Sequence, residues 1–363
     1  MSASAEGVVP EDEAESREST ARRACITTLV AGAVIVGGLA LWKLRLLVAL
    51  LLFAITIAAA MRPGVEALAR HRIPRPVGVL LHYLALLALF SLFLAFVVPR
   101  LTTEIQGALQ SAQSAHAVAG GGVKARLLDA VQRWLHHLPS GRALVHPALS
   151  ASERAFKIAI GIFFTFAAAA YWLFERDKAV DLVASLIARP RRKKLRDTWT
   201  LIEQKLGAFV RGELILIAFV STVVSIALVV IGEPYAVLIG IGSGFLEIVP
   251  VVGPLVAVGL AVGAGLTVSW HIAALAGAAL LAVRLVEDYV VSPRILGGAV
   301  GLSPLVVLIS VVATDLLLGG FYVLLAIPLA SLIATIIDVT VRDIEPTEVE
   351  IPTVLFPAQE TET

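Results

Sequence analysis

The stretch Phe245-Leu-Glu-Ile-Val-Pro-Val-Val-Gly-Pro254 places a carboxylate and a Pro/Gly/Pro break inside an otherwise unbroken apolar run. Apolar residues continue on both sides, over 235–244 and 255–268. Counted up to the break, the apolar segments 235–249 and 254–269 are each about 15 residues long, or about 22 Å as a helix, which is shorter than the ~30 Å hydrocarbon core of a bilayer. Because a break leaves backbone groups and helix ends facing inward, the pattern predicts a binding site at membrane depth.

The composition of the whole chain supports a membrane protein. Of 363 residues, 58% are hydrophobic and only 16% are charged, and the mean hydropathy is +0.89. A soluble domain cannot bury so much apolar surface, so we expect an all-α, polytopic helical membrane protein. The single cysteine, Cys25, excludes an internal disulfide.

The apolar segments predict the membrane spans and two interrupted helix pairs. These segments lie at 25–41, 46–61, 77–98, 155–174, 213–232, 235–249, 254–269, 272–289, 304–318 and 321–338. Glycine and proline interrupt the pairs at 235–269 and 304–338. Residues 1–24 form a polar tail, and we interpret the segment that follows it as a first span rather than as a cleaved signal peptide, because no small-residue cleavage site follows.

Lysine and arginine residues predict the orientation. Basic residues are concentrated at 62–75 and 189–196, which places both connections and both termini in the cytoplasm. The connection 100–154 then lies outside and contains two amphipathic stretches, 101–117 and 123–138. The parity is the same whether the interrupted pairs cross the membrane or re-enter, so both geometries remain open. The acidic tail, 341–363, is predicted to be disordered.

A basic helix is predicted over 176–210, at the cytoplasmic membrane interface. Trp199, Ile202, Leu206 and Phe209 recur at helical spacing directly after the basic cluster. Such a helix could lie against anionic lipid headgroups. The alternative is that the basic cluster only determines topology.

Few ionisable residues lie at membrane depth: Glu247, Arg284, Glu287, Asp288 and Asp315. Each would cost about 3 kcal/mol or more in lipid, so we expect all of them to face protein or water. Arg284 precedes Glu287 by three residues and Asp288 by four, so the three share one helix face and can form ion pairs. These pairs could belong to a site, or could simply fix helix packing.

Glu247 has no cation near it in the sequence and lies beside the helix break. A carboxylate there suits a proton carrier or a cation ligand, although it could also cap the backbone at the break. Asp315, four residues before Gly319-Gly320, receives the same interpretation at the second break.

Several other kinds of site are not expected. His136, His137 and His146 have no acidic or cysteine partner that would complete a metal site. No HExxH, GxSxG or phosphate-loop motif occurs, so we predict no enzyme activity, no cofactor and no direct use of ATP. Nucleic acid is not an expected partner.

The order of motifs in the second half of the chain resembles the autoinducer-2 exporter family of transporters. The motifs are Arg211-Gly212-Glu213, Gly232-Glu-Pro-Tyr235, Glu247 to Pro254, Glu287-Asp288 to Pro293-Arg-Ile-Leu-Gly297, Gly301-Leu-Ser-Pro-Leu305, and Gly319 with Ala326-Ile-Pro-Leu329. The resemblance covers about residues 25–340. Each motif alone is weak, and their shared order carries the resemblance.

The resemblance implies a bacterial inner-membrane protein with about eight transmembrane helices, assembled as a homo-oligomer, with a pentamer expected. Members are associated with export of the furanone autoinducer-2, and some with sodium/proton antiport. Residues on the family pattern are Arg211, Gly212, Pro250, Gly253, Pro254, Pro293, Gly297, Pro304 and Pro328. The chain departs from the pattern with Glu213 in place of glutamine and Tyr322 in place of glycine.

We therefore expect a secondary transporter that exports a small polar solute through the broken helices. Glu247 is the first candidate for contact with the solute or a coupling ion, followed by Asp315, Arg211, Glu213, Arg284, Glu287 and Asp288. The helix-break residues are Pro250, Gly253, Pro254, Gly319, Gly320 and Pro328. A sodium/proton antiporter on the same scaffold is the alternative, and a membrane scaffold that binds lipid or protein partners is a third possibility.

Overall fold

The computed structural model describes residues 28–32, 35–40, 42–88, 91–92, 95, 99, 145–250, 252–295, 301–349 and 351, and no strand occurs among them. The chain divides into two compact units, one up to Leu50 and the other from Leu51 onward. In the first unit, residues 28–32, 35–40 and 45–50 are helical. The site discussed below lies entirely in the second unit.

The helices are labelled in chain order. They are α1 (Arg45–Arg70), α2 (Arg75–Ala88), α3 (Val145–Ser185), α4 (Arg192–Ile231), α5 (Ala236–Leu246), α6 (Val252–Leu266), α7 (Trp270–Val286), α8 (Pro304–Leu318) and α9 (Ala326–Thr340). A π-helical turn, Glu287–Val291, and a short helix, Ser292–Ile295, follow α7. Residues Gly320–Leu325 form a 3₁₀ turn between α8 and α9.

Four helical stretches of the described chain are long and apolar enough to cross a membrane: Arg45–Arg70, Phe156–Ser185, Arg189–Ile231 and Gly320–Thr340. Shorter apolar helices include α2, α5, α6 and α8. The prediction of a polytopic helical membrane protein with two interrupted helix pairs is confirmed.

The first interrupted pair packs on α4 through residues that have no side chain. A Cβ atom at Gly240 would lie 2.2 Å from Ser225 Oγ, and one at Gly244 would lie 2.1 Å from Ser221 Oγ. Glycine therefore allows the backbones of α4 and α5 to approach closely, as small residues do in membrane helices. The pairing of 240 with 225 and of 244 with 221 shows that α5 runs antiparallel to α4.

The break between α5 and α6 is a compact turn. Val249 N–H donates to Leu246 O at 3.0 Å, and Gly253 N–H donates to Val249 O at 2.9 Å. A Cβ atom at Gly253 would lie only 1.8 Å from Leu246 O, so no other residue fits without a shift of the backbone. Pro250 has no N–H to continue α5, which explains why a helix ends before it.

The outer ends of α5 and α6 lie at the same end of the bundle. Gly265, near the end of α6, approaches both the side chain of Glu233, which precedes α5, and the backbone of Ala273 in α7. The pair α5–α6 is therefore a helical hairpin that returns to the side from which it started. This hairpin geometry is common to a re-entrant pair and to two antiparallel spans.

The second interrupted pair also breaks where glycine permits it. Gly319 ends α8 with φ +103°, a conformation that favours glycine, and Pro328 lies buried in the first turn of α9. Helix α9 packs along α4, where Leu332 contacts the cluster of Ala59, Ile202 and Leu206.

The predicted interface helix over 176–210 differs from the structure. Residues 192–210 are not a separate interface helix but the first half of one continuous helix, α4, and Ile202 and Leu206 are buried in protein. Residues 176–185 continue α3. The apolar stripe at helical spacing was correct, but it packs on neighbouring helices instead of lying along a surface.

The start of the acidic tail is also more regular than predicted. Lys194 of α4 forms an ion pair with Asp343, which lowers the pKa of that carboxyl. Pro346 is buried in a 3₁₀ turn, Pro346–Glu348. The predicted tail 1–24, most of the external connection 100–154, and residues 352–363 lie outside the described residues.

Candidate functional site

Glu247 lies directly after the last residue of α5, at the start of the first helix break. Its Oε2 atom accepts a hydrogen bond of 2.8 Å from Arg284 Nη1 of α7. No cation is near Glu247 in the sequence, but the fold brings in one that is 37 residues away.

Arg284 is the centre of a group of carboxylates. Its Nη1 atom donates to Glu287 Oε2 at 3.3 Å, and its Nε atom donates to Asp288 Oδ2 at 3.0 Å. The predicted helix face of Arg284, Glu287 and Asp288 is thus present, and Glu247 joins it. Glu287 and Asp288 begin the π-helical turn, a feature that is frequent at functional sites.

The side chains of this group are buried to different extents. The side chains of Glu287 and Glu247 are 6% and 10% exposed, whereas those of Arg284 and Asp288 are 31% and 45% exposed. Glu247 and Glu287 therefore face protein, and Asp288 faces outward. Hydrogen bonds to a charged partner lower the cost of burying Glu247 and Glu287.

Glu213 of α4 adds a further negative charge. It lies close enough to Glu247 and Glu287 for their charges to interact. Glu247, Glu287 and Asp288 surround the guanidinium of Arg284, and Glu213 adds a fourth carboxyl near two of them, so the group is strongly negative when every carboxyl is ionised. A proton, a cation or a ligand with hydrogen-bond donors would relieve the repulsion.

A cavity of about 270 Å³ opens beside this group. Helices α4, α5, α6 and α7 line it, and its polar side chains are Ser243, Glu247, Arg284 and Glu287. Most of the remaining wall is aliphatic, including Val220, Val224 and Leu280. A mainly apolar cavity with a few convergent polar groups is typical of small-molecule sites, and this volume suits only a small solute.

The other predicted residues do not all converge on this cavity. Arg211 Nη1 donates to Ala60 O of α1 at 3.3 Å, which ties α4 to α1. Asp315 is exposed on α8 and lies near Gly320, at the second break. Pro254 lines the cavity, while Gly319, Gly320 and Pro328 belong to the second interrupted pair.

The sequence analysis missed a second buried polar centre, at Glu203 of α4. This residue is 4% exposed. Its Oε2 atom accepts from Arg176 Nε at 2.8 Å and from Arg62 Nη1 at 3.1 Å, and its Oε1 atom accepts from two indole N–H groups, those of Trp172 at 2.8 Å and Trp199 at 3.0 Å. The spacing of Trp199 and Glu203 was a usable signal, since residues four apart share a helix face.

The Glu203 centre joins three helices, α1, α3 and α4, and lies beside a smaller cavity of about 50 Å³. That volume holds about one or two water molecules. Every oxygen of Glu203 already has donors, so we assign this centre a structural role. In the part of the chain that the structure describes, no three His, Cys, Asp or Glu side chains are placed to hold a metal ion.

Comparison with known proteins places this arrangement in a family. The model of the AI-2E family transporters matches residues 29–342. "Putative transport protein MT0215" of Mycobacterium tuberculosis is 25% identical over 296 residues, which is 79% of this chain and 81% of that protein. "Putative transport protein YrrI" of Bacillus subtilis is 25% identical over 127 residues, or 35% of this chain and 36% of that protein.

A further Bacillus subtilis protein, "Putative transport protein YueF", is 24% identical over 163 residues, or 45% of this chain and 44% of that protein. The matches to both Bacillus proteins thus span less than half of those proteins. The family match, in contrast, covers most of the chain, including both interrupted helix pairs and the Glu247 group. The chain is therefore a multi-pass membrane protein that belongs to the AI-2E family of transporters.

Proposed function

We propose that this protein is a secondary transporter that exports a small polar solute, and that the solute binds in the cavity beside Glu247 and Arg284. The observation that carries the proposal is the ion-paired carboxylate group at the tip of the α5–α6 hairpin. Such a group is expensive to bury in a membrane protein, which makes a functional role the default interpretation.

The site is divided between separate elements, as alternating access requires. Glu247 belongs to the hairpin, Arg284 to α7 and Glu213 to α4. A solute with hydroxyl or carbonyl groups can replace part of the hydrogen bonding between Arg284 and Glu247, so binding would alter the contact between the hairpin and α7. Broken helices that rearrange around a site of this kind are common in secondary transporters.

The chemistry of the site favours a small solute that is rich in hydrogen-bond donors. The cavity offers more carboxylate acceptors than cationic donors, so hydroxyl groups fit it better than carboxylates do. Autoinducer-2, a small polar furanone, belongs to this class, and the resemblance described above associates it with the family. We propose it as the first solute to test.

Sodium/proton antiport is the second candidate function. The specific observation in its favour is the surplus of carboxylates around Arg284, which would attract a cation or retain a proton. In that case Glu247 and Glu287 would exchange protons for sodium. Asp315 remains a prediction for a related role at the second break.

We further propose an inner-membrane location with both termini in the cytoplasm, assembly as a homo-oligomer, and contact of the basic connection with anionic lipid headgroups. Within the basic connection, Arg192 caps α3 through hydrogen bonds to the carbonyls of Ser185 and Ile187. Arg189, Arg191 and Lys193 are exposed and therefore accessible to headgroups.

The proposal is tested with the purified protein in liposomes. Efflux of autoinducer-2 and of a panel of small polyols is measured with and without imposed sodium and proton gradients. We expect efflux that Glu247→Gln reduces at least tenfold, while the matched control Glu175→Gln, an exposed residue of α3, retains it. Sodium-dependent proton flux without solute efflux would instead support antiport, and full activity of Glu247→Gln would contradict both functions.

A further inference from the structure

Glu233 occupies a position at which a helix normally places an apolar residue. Helix α4 ends with Gly232 in the left-handed conformation, at φ +78°. Gly232 N–H donates to Val229 O at 3.1 Å, and Glu233 N–H donates to Leu228 O at 2.9 Å. These two bonds form a Schellman motif, in which the residue after the glycine usually packs as a hydrophobe against the last helical turn.

The carboxyl group of Glu233 is enclosed by neighbouring elements. Glu233 is 6% exposed, and neither of its carboxylate oxygens has a hydrogen-bond partner among the described residues. A Cβ atom at Gly265 of α6 would lie 2.9 Å from Glu233 Oε2 and 2.6 Å from the Cα atom of Ala273 in α7. The carboxyl group therefore lies beside a close approach of α6 and α7 at this end of the bundle.

Among the described residues, no charge on the surrounding elements compensates for this burial. Helices α5 and α6 contain no ionisable residue, and α7 contains only His271 and Arg284. Arg284 is bound to the carboxylates at the opposite end of the hairpin, and His271 is exposed. On the turn itself, Tyr235 is the only other titratable side chain.

An ionised carboxylate in such a setting is costly, whereas the neutral acid is tolerated. Burial raises the pKa of Glu233 from its ordinary value of 4.5 to about 7. The sign follows from linkage: because the pKa is raised in the folded state, the packed arrangement is fully favoured below about pH 4.5 and loses stability as the pH rises through 7. The turn is thus sensitive to pH in the physiological range.

We propose that Glu233 is a proton-operated latch on the α5–α6 hairpin. As a neutral acid, it holds the α4–α5 turn against the contact between α6 and α7. When it ionises, the carboxylate leaves for water, and the outer ends of the hairpin separate from α4 and α7. Glu247 lies at the other end of the same hairpin. The latch would therefore control access at the outer ends of the hairpin, opposite the ion-paired group.

Hydrogen–deuterium exchange tests the latch in the full-length protein in lipid nanodiscs. Peptides that cover residues 228–240 and 262–275 are compared between the wild type and Glu233→Gln, whose amide imitates the neutral acid. At each pH, the exchange rate of the wild type is divided by that of Glu233→Gln, which removes the intrinsic pH dependence of exchange. We expect equal exchange at pH 5.5 and, at pH 8.5, about 30-fold faster exchange in the wild type, since each pH unit above the pKa favours the ionised form tenfold.

Two further variants separate this proposal from simpler explanations. His271→Gln should keep the pH response of the wild type, and the exposed control Glu175→Gln should keep it too. The latch would be overturned if the ratio of exchange rates, wild type to Glu233→Gln, did not change between pH 5.5 and 8.5. Loss of the pH response in His271→Gln would overturn it too. Hydrogen–deuterium exchange does not depend on transport, so this experiment tests the latch independently of the proposed function.

Discussion

Arg284 Nη1 lies 2.8 Å from Glu247 Oε2, although the two residues are 37 positions apart. This contact ties α7 to the tip of the α5–α6 hairpin and places a cation beside the helix break. The same guanidinium holds Glu287 and Asp288, so one side chain organises the charges of the whole site. The stability of this region and the chemistry of the cavity should therefore depend on Arg284. The effect of replacing Arg284 should in turn depend on whether Glu247 is ionisable.

Replacing Arg284 with methionine should destabilise the protein, because it leaves Glu247 and Glu287 buried without a cation. Breaking a buried pair costs about 3–5 kcal/mol, and the partial exposure of Arg284 reduces the expected loss to about 2 kcal/mol. The apparent free energy of unfolding is measured by denaturant titration for Arg284→Met, Glu247→Gln and the double variant. We expect the double variant to recover about 1 kcal/mol relative to additivity. Strict additivity would show that the two side chains do not interact.

The turn between α5 and α6 should not accept a side chain at Gly253. Gly253→Ala would place a methyl group 1.8 Å from Leu246 O, and we expect a loss of about 3 kcal/mol from the forced shift of the backbone. Gly259→Ala is the matched control on the same helix, since its Cβ atom would meet nothing within 4 Å. It should be neutral or stabilising by up to about 1 kcal/mol, because alanine favours helix more than glycine does. Equal thermal stability of the two variants would contradict the turn geometry.

The contact between α4 and α5 makes a similar prediction for a pair of glycines two residues apart. Gly244→Ala would bring a methyl group within 2.5 Å of Ile217 O and 2.1 Å of Ser221 Oγ, whereas Gly242→Ala would meet nothing within 4 Å. We expect the melting temperature to fall by several degrees for Gly244→Ala, which corresponds to about 1–3 kcal/mol, and to stay unchanged for Gly242→Ala. A loss of stability in Gly242→Ala alone would indicate that α5 presents its other face to α4.

The Glu203 centre should be among the most sensitive polar positions for stability. Glu203→Gln keeps the shape of the side chain but removes the charge that faces Arg62 and Arg176. We expect a loss of about 2–4 kcal/mol in the free energy of unfolding. Asp177→Asn is the control, because Asp177 also bonds Arg176 but its side chain is 79% exposed, and its effect should stay below about 1 kcal/mol. If both substitutions had the same small effect, Glu203 would not join the three helices.

The sequence predicted those parts of the fold that depend on local chemistry. Pro250 and Gly253 mark the first break, because a missing N–H and a missing side chain act wherever they occur. The grouping of Arg284 with Glu287 and Asp288 followed from helical spacing alone. The pairing of Arg284 with Glu247 could not be predicted this way, since it requires the hairpin to fold back and place its tip beside α7.

The spacing of apolar residues also could not distinguish two environments that share one sequence pattern. The apolar stripe through Ile202 and Leu206 fits a membrane surface and a protein interior equally well, and only the neighbouring helices decide between them. Glu203 lies within that same stretch, so the interpretation as an interface helix concealed its burial. Glu233 was named only as part of a motif, because its burial depends on the close approach of α6 and α7, which residue spacing does not reveal.

The central claim is that water and a polar solute reach the cavity between α5, α6 and α7. Val258 and Val256 test it as a matched pair on α6, because Val258 lines the cavity and Val256 does not. In a Cys25→Ser background reconstituted in liposomes, Val258→Cys and Val256→Cys are exposed to a water-soluble thiol reagent. We predict that Val258→Cys reacts, that the transported solute protects it, and that Val256→Cys reacts much more slowly. Unreactive Val258→Cys, or a faster reaction of Val256→Cys, would contradict a hydrated site at the helix break.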